Sequence, residues 1–221
     1  MIEGLLSISF DDGFLTDYSV AFPEMQSRGV VGTSFICGLY IELGYSNRLT
    51  RAQINEMIIA GWDFQCHTLA HANISTITEM SIHRQFFKNI DFFNRNGWSK
   101  PLHHAYPYGM YNDLARSTLK KYYKSGRRGL TVASKNLQDS VVTDFSLLNA
   151  MDAQITTQLQ LDSMKNILDQ AIVEKKVMMP YWHELTGDKL TYFISFLDYA
   201  KSTGVRFVTQ SELYEILVAN Q

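Results

Sequence analysis

The alternation of apolar and polar positions opens on the run Leu5-Leu6-Ser7-Ile8-Ser9-Phe10, cut off by Asp11, Asp12 and Gly13. Such a run predicts a buried strand that delivers two carboxylates to its own C-terminal tip. Asp17 to Arg28 carries Tyr18, Phe22 and Met25 at helical spacing and closes at Gly29, with Pro23 expected to kink or shorten the helix. Val30 to Cys37 reads as a second strand, and Leu39 to Asn47 has no clear period and reads as a loop. Thr50 is expected to cap a helix that runs to Ala60. Trp62 to Cys66 is a third strand, followed at once by His67-Thr68-Leu69-Ala70-His71, so polar groups again stand just past a strand end.

Thr78 to Asn96 places Phe86, Ile90 and Phe93 on one helical face, and a short apolar run then enters Ala105-Tyr106-Pro107-Tyr108-Gly109. Asn112 to Tyr123 reads as the next helix, Leu130 to Ala133 and Leu147 to Met151 as strands, and Thr156 to Glu174 as a long amphipathic helix. Val177 to Trp182 is an apolar strand whose end presents His183 and Glu184. Asp188 to Thr203 is helical up to Gly204, Val205 to Val208 is the last strand, and Ser211 caps a final helix. Strands and helices alternate with no Pro/Gly/Ser-rich linker, which predicts one α/β domain with a largely parallel sheet. Seven or so strands suggest a barrel.

Composition changes this picture little. With 46% hydrophobic residues in 221, the chain can bury a large core. Twenty basic and twenty-two acidic residues leave a formal net charge of -2, without the basic excess that nucleic-acid binding requires. Two cysteines, Cys37 and Cys66, are too few for a disulfide framework and read as buried thiols whose pairing the sequence leaves open. No apolar run reaches the length of a membrane span.

Chemistry concentrates at the strand ends, where α/β proteins hold their active sites. Adjacent carboxylates repel, and a half-buried pair is costly without a cation or a shared proton. Asp11 and Asp12 therefore point to a metal. H-x-x-x-H spacing puts His67 and His71 on one side of a helical turn, about 5–6 Å apart at Cβ, where both imidazoles can converge on one ion. Asp12 with His67 and His71 makes a three-ligand set that leaves coordination positions open, as a catalytic divalent metal needs.

Ser9-Phe10-Asp11-Asp12-Gly13, His67-Thr68-Leu69-Ala70-His71, Tyr106-Pro107-Tyr108-Gly109 and Tyr181-Trp182-His183, in that order, resemble the motifs of the polysaccharide deacetylases, the NodB-homology or carbohydrate esterase family 4 enzymes. The ending Gly204-Val205-Arg206-Phe207-Val208-Thr209 is similar to the family's last strand. The resemblance implies a distorted, incomplete (β/α) barrel of seven or eight strands and metal-dependent removal of acetyl groups from an acetylated polysaccharide or oligosaccharide, with N-acetylhexosamine units preferred. It further implies that Asp12, His67 and His71 bind a divalent metal, zinc first and cobalt or nickel as alternatives. Asp11 would be the general base and His183 the general acid, and the Tyr108 backbone N–H would stabilise the oxyanion.

Two departures stand out. Many family members carry an arginine, two residues before the Pro-Tyr pair, that holds the base aspartate; this chain has Ala105 there, as does a subset with an Ala-Tyr-Pro-Tyr-Gly third motif. Asn149 to Asp152 falls where the family's acidic-aromatic fourth motif belongs and matches it poorly. His103 and His104 either line the cleft or face solvent, with solvent preferred; Trp182, Tyr108 and Tyr111 offer sugar-stacking surfaces, although aromatic residues beside strands are more often core. The rival readings are a non-catalytic glycan-binding module whose lost arginine disabled the base, and another metal hydrolase such as a phosphoesterase. An acetylated polymer as substrate implies an envelope, extracellular or phage-tail location, with residues 1–221 one catalytic domain, either alone or cut from a larger protein. Oligomeric state is left open.

Overall fold

The computed structural model describes residues 3–131 and 137–221. The first predicted strand is two: β1 (Leu5–Leu6) and β2 (Ser9–Asp11) lie in different sheets. One π-helical turn, Asp17–Ala21, leads into α1 (Phe22–Gln26), so the predicted break falls at Phe22, which leaves Pro23 in the first turn of α1, where its missing N–H costs nothing. β3 (Thr33–Ile36) follows, and the expected loop after it contains a five-residue helix, α2 (Gly38–Glu42). α3 (Arg51–Ile59) is capped by Thr50 in a capping box with Gln53. β4 (Asp63–Cys66), α4 (Glu79–Arg95), β5 (His103–Ala105) and α5 (Asp113–Leu119) come next, close to their expected places.

The strand expected at Leu130 to Ala133 is instead β6 (Ser125–Leu130); Val132 and Ala133 lie outside the described residues. β7 (Leu148–Asp152) and α6 (Gln158–Glu174) follow. The run Val177 to Trp182 also divides, into β8 (Val177–Met178) and β9 (Pro180–Trp182). α7 (Asp188–Thr203), β10 (Arg206–Phe207) and α8 (Gln210–Ala219) complete the chain. Thr209, not Ser211, caps α8, in a capping box with Glu212.

Seven parallel strands close a barrel in the order β2-β3-β4-β5-β6-β7-β9, with β9 pairing back onto β2. This is the expected (β/α) barrel, one strand short of eight, with its seven-stranded ring closed. A second parallel sheet, β10-β1-β8, takes the strand expected at Val205–Val208 out of the barrel. Ser7–Ile8 carries the chain from β1 to β2 and Met179 carries it from β8 to β9, so the small sheet sits upstream of the barrel strands it feeds.

Strand alternation decides what points where. Phe10 faces the helical layer, packed against Trp62, Trp182 and Phe193 of α7 at ring separations of 5.5, 6.1 and 5.7 Å. Its neighbours Ser9 and Asp11 therefore face the barrel interior. Trp182, offered above as a sugar-stacking surface, is fully buried in that same apolar layer against Phe193 and Phe196. His103 and His104 are also buried rather than exposed: His103 bonds Ser125 at 2.8 Å, and His104 packs among Phe86, Tyr106 and Tyr123. Both cysteines are free and buried. Among the described residues no helix is long and apolar enough to cross a membrane.

Candidate metal and catalytic centre

Asp12, just past β2, and His67 and His71, just past β4, converge as the motif spacing implies. Their donor atoms all lie within 4.8 Å of one another. Asp12 Oδ1 is 3.4 Å from His71 Nε2 and 3.8 Å from His67 Nε2. Bond lengths of ~2.0–2.2 Å to a tetrahedral zinc set neighbouring donors about 3.3–3.6 Å apart, so this donor set fits such an ion with small adjustments.

The two histidines do not share a helical turn, as their spacing suggested. They stand on a tight non-helical turn in which Thr68 (φ 64°) and His71 (φ 53°) are left-handed. Asp12 (φ 72°) and Tyr108 (φ 59°) are left-handed as well. Of the five non-glycine residues with positive φ among those described, four therefore surround this cleft, the fifth being Lys175 at the end of α6. Each such residue costs about 1–3 kcal/mol, and their clustering marks a place where geometry is held against local preference.

Orientation is fixed from behind. His67 Nδ1 lies 2.8 Å from the Ala105 carbonyl, which can only accept, so Nδ1 carries the proton and Nε2 keeps its lone pair for the ion. Burial, then the neighbouring His67, pushes His71 down to about 4, which leaves its imidazole neutral and able to ligate at pH 7.

Asp11 is nearly inaccessible to solvent, and its partner is Arg127 of β6, whose Nη2 donates to Asp11 Oδ1 across the barrel. Burial favours the protonated carboxyl, but the charge of the Arg127 guanidinium and its hydrogen bond outweigh it and hold Asp11 below its ordinary value. The guanidinium is itself clamped, its Cζ 4.4 Å from the Phe35 ring centroid on β3 and 4.7 Å from that of Tyr181 on β9. Strand register explains the source: Arg127 is the β6 residue paired with Ala105 of β5. The arginine absent from position 105 is thus supplied one strand over. Sequence reasoning missed Arg127 because Ser125-Gly126-Arg127-Arg128-Gly129 has almost no apolar signal; an arginine pair between glycines, where a barrel strand was due, was the available clue.

His183 follows β9, and its Nδ1 lies 3.1 Å from Gln154 Nε2. Asp152, at the end of β7, lies in the same cleft; burial raises its carboxyl above the ordinary value, with His183 opposing. Asp152 closes the region where the fourth motif matched poorly, and Gln154 lies two residues beyond it. The cleft, of about 380 Å³, is lined by Asp11, His67, His71, Arg127, Asp152 and His183 together with Tyr106, Tyr108, Gly109, Gly129 and Tyr181. Tyr108 is 68% exposed and stands edge-on to His71 at 4.4 Å, so the Tyr106–Gly109 segment forms one wall. Gly129 is required opposite, because a Cβ there would come within 2.4 Å of the Tyr181 hydroxyl. Tyr111 instead packs on Tyr106 and accepts a hydrogen bond from Arg128.

Solved structures share this fold. The Xyl-CE4 domain of a multidomain xylanase from the hindgut metagenome of Trinervitermes trinervoides superposes with a TM-score of 0.70 at 17% identity, covering 96% of this chain and 90% of that one. A family 4 carbohydrate esterase from Streptomyces lividans gives a TM-score of 0.62 at 16% identity, covering 94% and 93%. In sequence, a poly-beta-1,6-N-acetyl-D-glucosamine N-deacetylase of Staphylococcus epidermidis is 31% identical over 126 residues, 52% of this chain and 44% of that protein. The match thus spans less than half of that curated relative's length. The family profile described as polysaccharide deacetylase matches residues 2–124, more than half of the chain. This chain belongs to the polysaccharide deacetylase family.

Proposed function

We propose that this protein hydrolyses acetyl groups from an acetylated polysaccharide, N-acetylhexosamine units in particular, with a divalent metal held by Asp12, His67 and His71. The observation that carries the reading is Asp11, fixed by Arg127 within 4.0 Å of His67 Nε2 and within the same cleft as His183. A divalent ion at this donor set supplies Lewis acidity, lowering the pKa of water and polarising a carbonyl.

The remaining steps belong to the chain's own residues. Arg127 keeps Asp11 ionised and aimed, so that its free oxygen, Oδ2, takes the proton from the attacking water. The Tyr108 backbone N–H, on the wall of the cleft, is the donor we assign to the oxyanion that develops on the acetyl group. His183, steadied by Gln154, gives a proton to the departing amine. Acetate and the free amino sugar are the products. Poly-β-1,6-N-acetylglucosamine, the polymer named for the staphylococcal relative, is the first substrate to try. Ala105 in the third motif supports assigning the chain to the subset that lacks the usual arginine, and the Arg127–Asp11 pair speaks against the argument that its loss disabled the base.

We take residues 1–221 as one catalytic domain of an envelope, secreted or phage-tail protein, the compartments where such polymers occur. Acetate release from an acetylated glycan, abolished by chelation and restored by zinc or cobalt, tests the function. Glycan binding without acetate release would support the non-catalytic module, and phosphate release from a phosphoester would support the other hydrolase.

A further inference from the structure

Cys37 lies directly beyond β3 with its side chain fully buried. Its sulfur meets two residues of the candidate ion site: Sγ is 3.7 Å from Asp12 Oδ1 and 3.2 Å from the His67 carbonyl oxygen. We propose that Cys37 is a positioning residue for the Asp12–His67–His71 site, its thiol holding the Asp12 carboxylate and the histidine turn in ligating geometry. The inference rests on the metal-centre reading above.

A thiol has one proton to give and a weakly accepting sulfur. Here the thiol faces two acceptors, the Asp12 carboxylate and the His67 carbonyl. It meets Asp12 at the donor atom itself and His67 at its backbone, so it acts behind the ligands rather than among them. What it holds needs holding, since Asp12, Thr68 and His71 are all left-handed.

The frame around Cys37 is rigid enough for the task. His67 N–H donates to the Ile36 carbonyl at 3.0 Å and Leu39 N–H to the Leu69 carbonyl at 2.9 Å, stitching the end of β3 to the histidine turn on both sides of Cys37. Asn89 of α4, itself fully buried, accepts from Gly38 N–H at 3.0 Å and donates to the Ile36 carbonyl at 3.4 Å. Gly38 is needed for that approach, because a Cβ there would fall 2.5 Å from Asn89 Oδ1.

Zinc affinity, measured by competition with a chromophoric chelator on the full chain, tests the role in Cys37→Val and Cys37→Ser. Valine fills the volume and cannot donate; serine restores the donor. Groups that orient metal ligands are worth ~10–100-fold in affinity, so the Val variant should weaken by that much while the Ser variant stays close to wild type. Thermal unfolding of the metal-free chains reports whether each variant is folded. Wild-type affinity in the Val variant, or equal loss in Val and Ser variants, would overturn the proposal. So would a sulfur-to-cobalt charge-transfer band in the cobalt-loaded wild type, which would make Cys37 a ligand. A wild type that takes up no zinc overturns the metal centre and the role of Cys37 together, whereas tight zinc with an unaffected Val variant overturns the latter alone.

Discussion

Removing the Arg127 guanidinium is the most demanding perturbation this account can face. The pair it forms with Asp11 leaves the two side chains 2% and 4% exposed. Arg127→Ala would strand a buried carboxylate, and breaking a buried pair from one side costs about 3–5 kcal/mol. For a chain of this size each kcal/mol lowers Tm by roughly 2–4 °C, so the metal-free variant should melt about 6–20 °C below wild type. The stranded Asp11 would regain a proton, or swing toward His67, and general-base catalysis worth ~10²–10⁴ in kcat should go with it. Arg127→Lys retains the charge but gives up the planar stack between Phe35 and Tyr181, and it should recover part of the stability and little of the rate. Differential scanning calorimetry and an acetate-release assay on zinc-loaded protein read the two effects separately. Coupling is the sharpest readout: Asp11→Asn and Arg127→Ala remove the same function, so their effects on kcat should be far from additive. Additive losses, or a wild-type rate in Arg127→Ala, would refute the idea that Arg127 stands in for the arginine absent at Ala105.

Other expectations can be checked alongside. Asp11→Asn should keep a full equivalent of zinc by atomic absorption while losing turnover, whereas Asp12→Ala and His67→Ala should lose the metal; a fully active Asp11→Asn chain would end its assignment as base. His183→Ala should lower kcat by ~10²–10⁴ with zinc content unchanged, and an unaltered rate would remove it from the mechanism. Asp17 is buried on the π-turn beside Ser34, which donates to it at 3.0 Å, and burial raises its carboxyl well above the ordinary value. An acid raised on folding binds its proton more tightly in the folded state, so its contribution is present in full below the unfolded value of ~3.9 and is lost as pH rises toward the folded one. Asp17→Asn should therefore gain stability over the metal-free wild type increasingly from about pH 4 upward in urea titrations, and a difference that stays flat with pH would contradict this.

The sequence was most informative where a residue type and a strand end coincide. Asp11, Asp12, His67, His71 and His183 were legible because each follows an apolar run, and the structure gathers them at one end of the barrel. Their geometry was not legible: H-x-x-x-H suggested a helix, and the convergence of His67 and His71 comes from a left-handed turn that no helical period encodes. Strand division was hidden for a related reason. Leu5 to Asp11 and Val177 to Trp182 are continuous in hydropathy, yet each crosses from the small sheet into the barrel, a change of partner that pattern cannot register. Arg127 was hard to read for a further reason, since its place opposite Asp11 depends on pairing with Ala105 across β5 and β6, and register is a property of two strands. His103 and His104 were misplaced, and Trp182 was left between cleft and core, because a large aromatic or a histidine beside a strand looks alike whether it faces cleft, solvent or core.

The central claim is that two adjacent aspartates have separate duties, Asp12 as ligand and Asp11 as base. A crystal structure of the zinc-loaded chain, with the ion located by anomalous scattering, tests it most directly. The account predicts one ion about 2.0–2.2 Å from Asp12 Oδ1, His67 Nε2 and His71 Nε2, with Asp11 still paired to Arg127. An ion ligated by Asp11, or an Arg127 released from it, would contradict the account.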